Sequence, residues 1–452
     1  MRVDGGVKRL LAVGAIAGAL GWGIRGVFGG ETGAMIPGAL FGLCVALAVP
    51  RAQPVLFAAV GALAFSIGGS MTYGQTIGLV QDVPNSPTYW WGILGLAIKG
   101  GVWIGLGAVI LGLGVFDQPL SARRWAVLLL GALILFWLGR RFINGPHDPP
   151  YRLPLIYFSD PLSDKPRAEC WGGLWLGYLW LLCCAALMGR GSALRLSVFG
   201  LVGGAIGFPV GEMLQAWGHL SHPLGQFGDR WIDWWKVMEC TFGATAGAAL
   251  ALGAAACRPT SEHTPSPRVG PNWEVWALSG WFVVFLLADL ELLPLADLHT
   301  LPFLGITLPL CLCGTREATH RDWAAMAVGV TLVFAVSGSD LIGKAAEEAV
   351  PGLAFVVVAM VLFTVAGAVM VGRRSTGRLS VAWLLLFIAG SQTLLTAIKS
   401  FMAGSSWADG ARAFVGGSAI TVESLFVVAV LALAWLLREP REEAGTPDTQ
   451  GS

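Results

Sequence analysis

The sequence predicts an all-α, polytopic integral membrane bundle of about 14 (12–14) transmembrane helices that is built from repeated helical hairpins. Three observations predict this class: the composition, the length of the apolar segments, and the placement of basic residues between them. Of the 452 residues, 55% are hydrophobic and 13% are charged, whereas soluble domains carry roughly 25% charged residues. The 62 glycines and 20 tryptophans are typical of membrane helices and their interfaces. The net charge of +1 provides no field that would recruit nucleic acid.

The chain contains fourteen apolar segments that are long enough to cross a bilayer, which requires about 20 residues. They are 10–28, 33–50, 54–73, 90–115, 125–143, 170–189, 195–217, 235–256, 273–290, 298–313, 323–339, 351–371, 379–398 and 413–437. Segments 10–28 and 298–313 fit least well, the second because Pro302 and Pro309 interrupt it. The first segment follows basic residues, as a signal peptide does, but it continues into a glycine-rich helix. We therefore expect a retained span.

Basic residues occupy every second connection between these segments, as the positive-inside rule requires when the N-terminus is cytoplasmic. These connections and the two termini contain 17 of the 29 Lys and Arg residues, whereas the alternate loops 74–89 and 289–297 contain none. The pattern predicts both termini in the cytoplasm and a location in an inner (plasma) membrane of the bacterial type.

The chain divides into two bundles. Residues 1–256 form spans 1–8, residues 257–272 a cytoplasmic linker, residues 273–437 spans 9–14, and residues 438–452 a charged, disordered tail. Residues 140–169 form a long outer loop that is rich in proline and aromatic residues, and it is an exception to the alternation because it contains five basic and four acidic residues. Such a loop is too apolar for a tether and too long for a turn. We expect an ordered lid over the outer face, with an ordinary surface loop as the alternative.

Parts of the chain resemble one another. Residues 67–75 resemble residues 206–215, and a polar loop, a Trp-Trp pair and a helix with regularly spaced glycines follow each of them. Residues 65–72 also resemble residues 387–393. Duplicated bundles are common among transporters, but matches this short are equally compatible with convergent packing.

Glycines recur every four positions, a spacing that allows two helix backbones to approach closely. The pairs and triplets are Gly14/Gly18, Gly38/Gly42, Gly101/Gly105, Gly203/Gly207/Gly211 and Gly243/Gly247. We expect most of these glycines to serve helix packing. A match to GxGxxG over residues 21–26 lies inside a membrane helix with no preceding strand, which argues against a dinucleotide site.

Polar residues concentrate at the predicted outer ends of the spans, and the inner halves carry almost no charge. This distribution predicts an outward-facing polar chamber. The candidate substrate- or ion-binding residues are Arg25, Glu31, Tyr73, Gln75, Lys99, Glu212, Gln215 and Glu239. Because a lone charge in lipid is costly, we expect Arg25 to pair with Glu31 or Glu239, and Lys99 with Glu212 or Glu239. Such pairs either lock helices together or form a proton relay or a binding site.

Weaker candidates lie near the membrane surface. The outer-loop candidates are Arg140, Arg141, His147, Asp148 and Arg152, in which a His-Asp pair could act as general acid and base and arginines could bind phosphate. His219 and His222 are weak candidates for metal ligands, since histidines at membrane interfaces are more often not ligands. Paired CxxC spacing is absent, so no metal site, no cofactor and no catalytic residue is assigned.

Three functions fit these features. The first is a transporter for a small polar or anionic solute, with or without coupling to an ion. The second is a membrane-embedded transferase that acts at the extracytoplasmic face on a lipid-linked substrate, and the third is a structural or assembly subunit. The expected partners are the lipid bilayer and the solute or lipid-linked substrate, with no nucleic acid, and the oligomeric state is not predicted. The dry inner halves count against alternating access, whereas the number of spans favours transport.

Overall fold

The computed structural model describes residues 5–49, 52, 54–81, 86–116, 120–145, 154–161, 166–220, 231–257, 378–402 and 407–438, and within these ranges the chain is helical, with no strand. The longer helices are α1 (Gly5–Phe28), α2 (Gly30–Ala46), α3 (Pro54–Ser66), α4 (Gly74–Gln81), α5 (Pro87–Val115), α6 (Ala122–Phe142), α7 (Trp171–Leu187), α8 (Gly191–Leu220), α9 (Trp234–Ala256), α10 (Arg378–Met402), α11 (Trp407–Gly416) and α12 (Ser418–Leu437). The all-α prediction is confirmed for the described residues.

Seven of the described helices are long and apolar enough to cross a membrane, namely α1, α5, α6, α8, α9, α10 and α12. The bent pair formed by α3 and α4 would make an eighth. Helices α2 and α7 are apolar but only 17 residues long. Ten of the fourteen predicted segments coincide with described helices. The other four, 273–290, 298–313, 323–339 and 351–371, lie outside the described residues, as do most of the linker and the tail.

Six helices form the centre of the described bundle. Each contacts the next in the order α1, α2, α3, α5, α8 and α9, and α9 packs back against α1. The α6–α7 pair joins this ring through contacts of α7 with α5 and α8, and α10 and α12 pack against α1. Such a ring of six helices encloses an interior between them.

Aromatic side chains fill part of that interior. The Trp22 ring centroid lies 4.4 Å from that of Phe242 and 4.9 Å from that of Trp103. Phe208 stacks on Phe242 at 4.5 Å, and Phe41 contacts both Trp22 and Phe65. All of these side chains are buried. We call the six residues Trp22, Phe41, Phe65, Trp103, Phe208 and Phe242 the aromatic plug.

Glycines bring the helix backbones of the ring into contact. A Cβ added to Gly18 would overlap the backbone carbonyl of Gly243, and one added to Gly243 would overlap that of Gly18. Gly14 and Gly247 make the same reciprocal contact one turn away along α1 and α9. Gly38 on α2 faces Gly61 on α3 in the same way. Five of the glycines predicted to serve helix packing, Gly14, Gly18, Gly38, Gly243 and Gly247, therefore lie at helix crossings where a side chain would overlap the neighbouring backbone.

The chain breaks between α3 and α4. A 3₁₀ turn, Ile67–Ser70, follows α3, and the backbone extends at Met71 before α4 begins at Gly74. The two halves are inclined by 61°. A break inside a bundle frees backbone groups from helical hydrogen bonds, and such breaks persist in membrane proteins where other protein groups or a cavity satisfy them. Here Lys99 Nζ donates to the Thr72 carbonyl at 2.9 Å.

The described parts of the loop 140–169 pack onto the bundle. Phe158 is buried against Gly95 of α5, and Trp91 Nε1 donates to the Tyr157 carbonyl at 2.7 Å. Burial raises the pKa of the Tyr157 hydroxyl, so the group stays protonated and donates to the Arg167 carbonyl at 3.0 Å. These contacts hold the described residues of the loop against α5. That the loop forms a lid, and on which side of the membrane it lies, stay predictions.

Candidate functional site

Polar side chains from several helices meet at one end of the bundle, which we call the polar end. Lys236 Nζ, in the first turn of α9, donates to the Gly23 carbonyl near the end of α1 at 2.9 Å. Lys399 Nζ, near the end of α10, donates to the Val27 carbonyl at 2.7 Å. The ends of α1 and α10 thus lie beside the start of α9. This is the grouping that the alternating direction of the spans predicts.

Arg25 lies at the centre of the polar end. Its side chain is only 4% exposed and rests on the aromatic plug, with the guanidinium carbon 5.1 Å from the ring centroids of both Tyr73 and Trp103. Nη1 donates to the Tyr73 hydroxyl, and Nη2 makes a long contact of 3.5 Å with the Gly30 carbonyl. Nε is buried and has no hydrogen-bond partner among the described residues.

The expected ion pair of Arg25 with Glu31 or Glu239 is not formed among the described residues. Glu239 instead accepts from Lys236 Nζ at 2.6 Å and from Trp235 Nε1 at 3.1 Å. Its carboxylate lies against Gly26 of α1, in the space that a Cβ at that position would occupy. The Glu239 carboxylate, which extends from α9, is therefore close to Arg25 on α1, but its direct ion pair is with Lys236. Arg25 and Lys236 together carry one more positive charge than the single Glu239 carboxylate with which both interact.

Lys99 belongs to a second cluster. The prediction that it pairs with Glu212 or Glu239 is wrong, because Lys99 Nζ contacts Glu169 Oε1 at 2.7 Å, and both side chains are buried. Nζ also donates to the Thr72 carbonyl at 2.9 Å and to Thr76 Oγ1 at 2.7 Å. An ammonium group has three hydrogens, and all three are used.

Glu169 is a buried, fully hydrogen-bonded acid that was not among the residues predicted from the sequence. Besides Lys99 it accepts from Ser159 Oγ at 3.0 Å, from the Phe158 amide at 3.2 Å and from Trp171 Nε1 at 3.1 Å. Four donors saturate the carboxylate, so the Lys99–Glu169 pair acts as a structural clamp that holds the described loop residues, 154–161 and 166–169, against α5. One signal could have found it: Glu169 lies just before the apolar segment 170–189, where an unpaired acid would be costly.

Glu212 and Gln215 lie one turn apart on α8 and are both buried. Gln81 Nε2 donates to Glu212 Oε1 at 3.4 Å, whereas Glu212 Oε2 and Gln215 Oε1 accept no hydrogen bond from the described residues. Pro209 lies within the same helix. The two oxygens are unused acceptors, which suit a proton or a cation rather than an anion.

The remaining candidates lie around these clusters. Gln75 Oε1 accepts from the Arg167 amide at 3.1 Å, Glu31 lies in the first turn of α2, and Arg140 and Arg141 lie in the last turn of α6. His219 lies in the last turn of α8. The other four candidates, His147, Asp148, Arg152 and His222, lie outside the described residues. Among the residues that the structure describes, no group of three His, Cys, Asp or Glu side chains could hold a metal ion.

The polar end therefore offers a buried guanidinium with a free donor, a neighbouring Lys–Glu pair, and two unused acceptors on α8. The first arrangement suits a carboxylate or phosphate, which guanidinium binds through paired hydrogen bonds. Comparison with known proteins finds no matching family model, no similar curated protein and no similar solved structure.

Proposed function

We propose that the protein is a multi-pass membrane transporter whose polar end is an outward-facing chamber for a small anionic solute. The proposal includes fourteen spans, duplicated helical hairpins, and both termini on the cytoplasmic side of an inner (plasma) membrane. The apolar helices and the regular alternation of basic connections support these parts of it.

Arg25 carries the proposal. A buried charge without a partner is strongly destabilising, and membrane proteins place such charges where they serve function. Within the described residues the Arg25 guanidinium forms no direct ion pair: it contacts a phenol, a distant carbonyl and two aromatic rings. The nearby Glu239 carboxylate interacts with it, but that carboxylate is already bound to Lys236. An anion bound at Nε and Nη2 would supply the missing acceptors and cancel the charge.

The break between α3 and α4 supports the same conclusion. It places Tyr73 on Arg25 and bends the chain by 61° within an apolar pair of helices. Discontinuous helices at the solute site are typical of secondary transporters, since their free backbone groups bind substrates and ions. The unused oxygens of Glu212 and Gln215 would then serve a coupling proton or cation.

The aromatic plug favours a second candidate, a membrane-embedded transferase that works on a lipid-linked substrate from the extracytoplasmic face. An enzyme of this kind needs no path through the bundle. The aromatic plug fills the interior of the ring next to Arg25, which suits an enzyme better than a transporter. For transport, Trp22 and Trp103 would have to separate during the cycle. In the transferase, Arg25 would bind the phosphate of the donor, and Arg140 or Arg141 would assist at the loop.

The test of transport is reconstitution of the purified protein into liposomes, with a screen of labelled carboxylates and phosphate esters. We expect uptake of an anionic solute, and we expect Arg25→Lys and Arg25→Gln to reduce it at least tenfold. Lysine keeps the charge but loses the paired donors. Arg412→Gln is the matched control, because Arg412 is 78% exposed and pairs with Asp409 on the surface.

Thermal unfolding midpoints of the three variants separate lost function from lost folding. Unchanged uptake in a folded Arg25→Gln protein would refute the role of Arg25. Absence of flux for every solute, together with Arg25-dependent processing of lipid-linked sugars, would replace the transporter by the transferase. If neither activity is found and Arg25→Gln changes nothing but stability, the third candidate, a structural subunit, stands.

A further inference from the structure

A groove lies at the end of the bundle opposite the polar end. Its volume is about 770 Å³, and its wall consists of the beginning of α6, the end of α7 and the residue before α8. Glu212 and Gln215 lie in the last third of α8, so the start of that helix lies away from the polar end. The lining residues are Ser121, Arg123, Arg124, Val127, Leu128, Cys184, Leu187, Met188 and Arg190. We call this the α6–α7 groove.

The rim of the groove is strongly basic. Arg123, Arg124 and Arg190 line it, and no acidic residue is among the described residues that do. Two helices also begin here, α6 at Ala122 and α8 at Gly191, and a helix N-terminus carries a partial positive charge. Three guanidinium groups and two helix N-termini make one end of the groove a site for an anion.

The wall of the groove is apolar and continues along the outside of α6. Val127 lines the groove, and Leu130 and Ile134 follow it at helical spacing, with 57%, 55% and 60% of their surfaces exposed. Leu187 on α7 is 88% exposed beside them. An exposed apolar strip on a membrane helix faces lipid chains, so the groove opens onto the acyl region.

We propose that the α6–α7 groove binds an anionic phospholipid, with its phosphate between Arg123, Arg124 and Arg190 and one acyl chain along the apolar strip of α6. A free anion would use the arginines but not the strip, and a zwitterionic lipid would use the strip but gain little from three arginines. Basic pockets between membrane helices are known to hold anionic headgroups. The site is independent of Arg25 and of the proposed function.

The experiment is native mass spectrometry of the full chain in detergent, titrated with phosphatidylglycerol or phosphatidylcholine of the same acyl chains. We expect phosphatidylglycerol to bind at least tenfold more tightly, and we expect the triple variant Arg123→Gln, Arg124→Gln, Arg190→Gln to lose that preference. Arg195→Gln is the matched control, because Arg195 is exposed near the same end of α8 but does not line the groove.

Three outcomes would overturn the proposal. Equal binding of both lipids would show that the headgroup is not recognised. An unchanged preference for phosphatidylglycerol in the triple variant would show that the lipid does not bind at the α6–α7 groove. Displacement of the lipid by inorganic phosphate at equal concentration would show that only the anion binds. A normal unfolding midpoint of the triple variant with the preference lost would support the site as stated.

Discussion

Lys99→Met is expected to lower the free energy of unfolding by about 3–5 kcal/mol, the usual effect of removing one member of a buried ion pair. The substitution would leave the Glu169 carboxylate buried with its charge uncompensated, and it would also free the Thr72 carbonyl and Thr76 Oγ1. The measurement is the unfolding of the purified protein in detergent, monitored by circular dichroism.

The double variant Lys99→Met, Glu169→Gln should recover much of the loss, because the glutamine is neutral and keeps the shape of the carboxylate. Arg412→Met is the matched control. The Arg412–Asp409 pair has the same 2.7 Å separation, but its side chains are 78% and 42% exposed, and exposed pairs contribute only about 0–1 kcal/mol. Equal effects of Lys99→Met and Arg412→Met would show that the Lys99–Glu169 pair is not a clamp.

Gly18→Leu should lower the free energy of unfolding by about 3 kcal/mol, at the upper end of what overpacking costs. A side chain at Gly18 would meet the Gly243 backbone and the Phe41 ring, and neither can move without opening the α1–α9 crossing. The crossing closes the six-helix ring, so its opening would also disturb the aromatic plug. The same unfolding measurement tests this.

Gly78→Leu is the control for the glycine prediction. A Cβ at Gly78 on α4 has no heavy atom within 4 Å, so a side chain there finds space, and we expect a change below about 1 kcal/mol. The packing argument fails if Gly18→Leu is as well tolerated as Gly78→Leu. A smaller loss of stability in Gly18→Ala than in Gly18→Leu would agree with a steric cause.

The helices were predictable because their cause is local. A run of about 20 apolar residues in lipid satisfies its backbone only as a helix, and the sequence shows such runs directly. The helix crossings at glycines were also predictable, because the four-residue spacing that places glycines on one helix face is visible in the sequence. The break at Met71 was not predicted, because residues 54–73 were taken as one span although Gly68, Gly69 and Ser70 lie near its end. The contacts that hold the break, such as that from Lys99, come from groups distant in the chain.

The spatial grouping of the candidate residues was predicted in part, and their role stays a prediction. Charge topology grouped Arg25, Tyr73 and Glu239 at one end, and they are neighbours in the structure. Their pairing could not be read from topology, which gives the depth of a residue but not its position around the ring. Glu169 was treated as a loop residue, so its contact with Lys99 on α5 was missed.

The break between α3 and α4 links two parts of the molecule that were described separately. Thr72 accepts from Lys99 within the clamp on the loop, and the next residue, Tyr73, accepts from Arg25. In the proposed transporter, a movement of the loop that displaces Lys99 is therefore expected to shift Tyr73, the partner of Arg25. An anion that draws Arg25 away from Tyr73 is expected to disturb the contact of Thr72 with Lys99. Two adjacent residues thus connect the loop to Arg25. In the proposed transporter, solute affinity and loop position would by reciprocity be coupled in both directions.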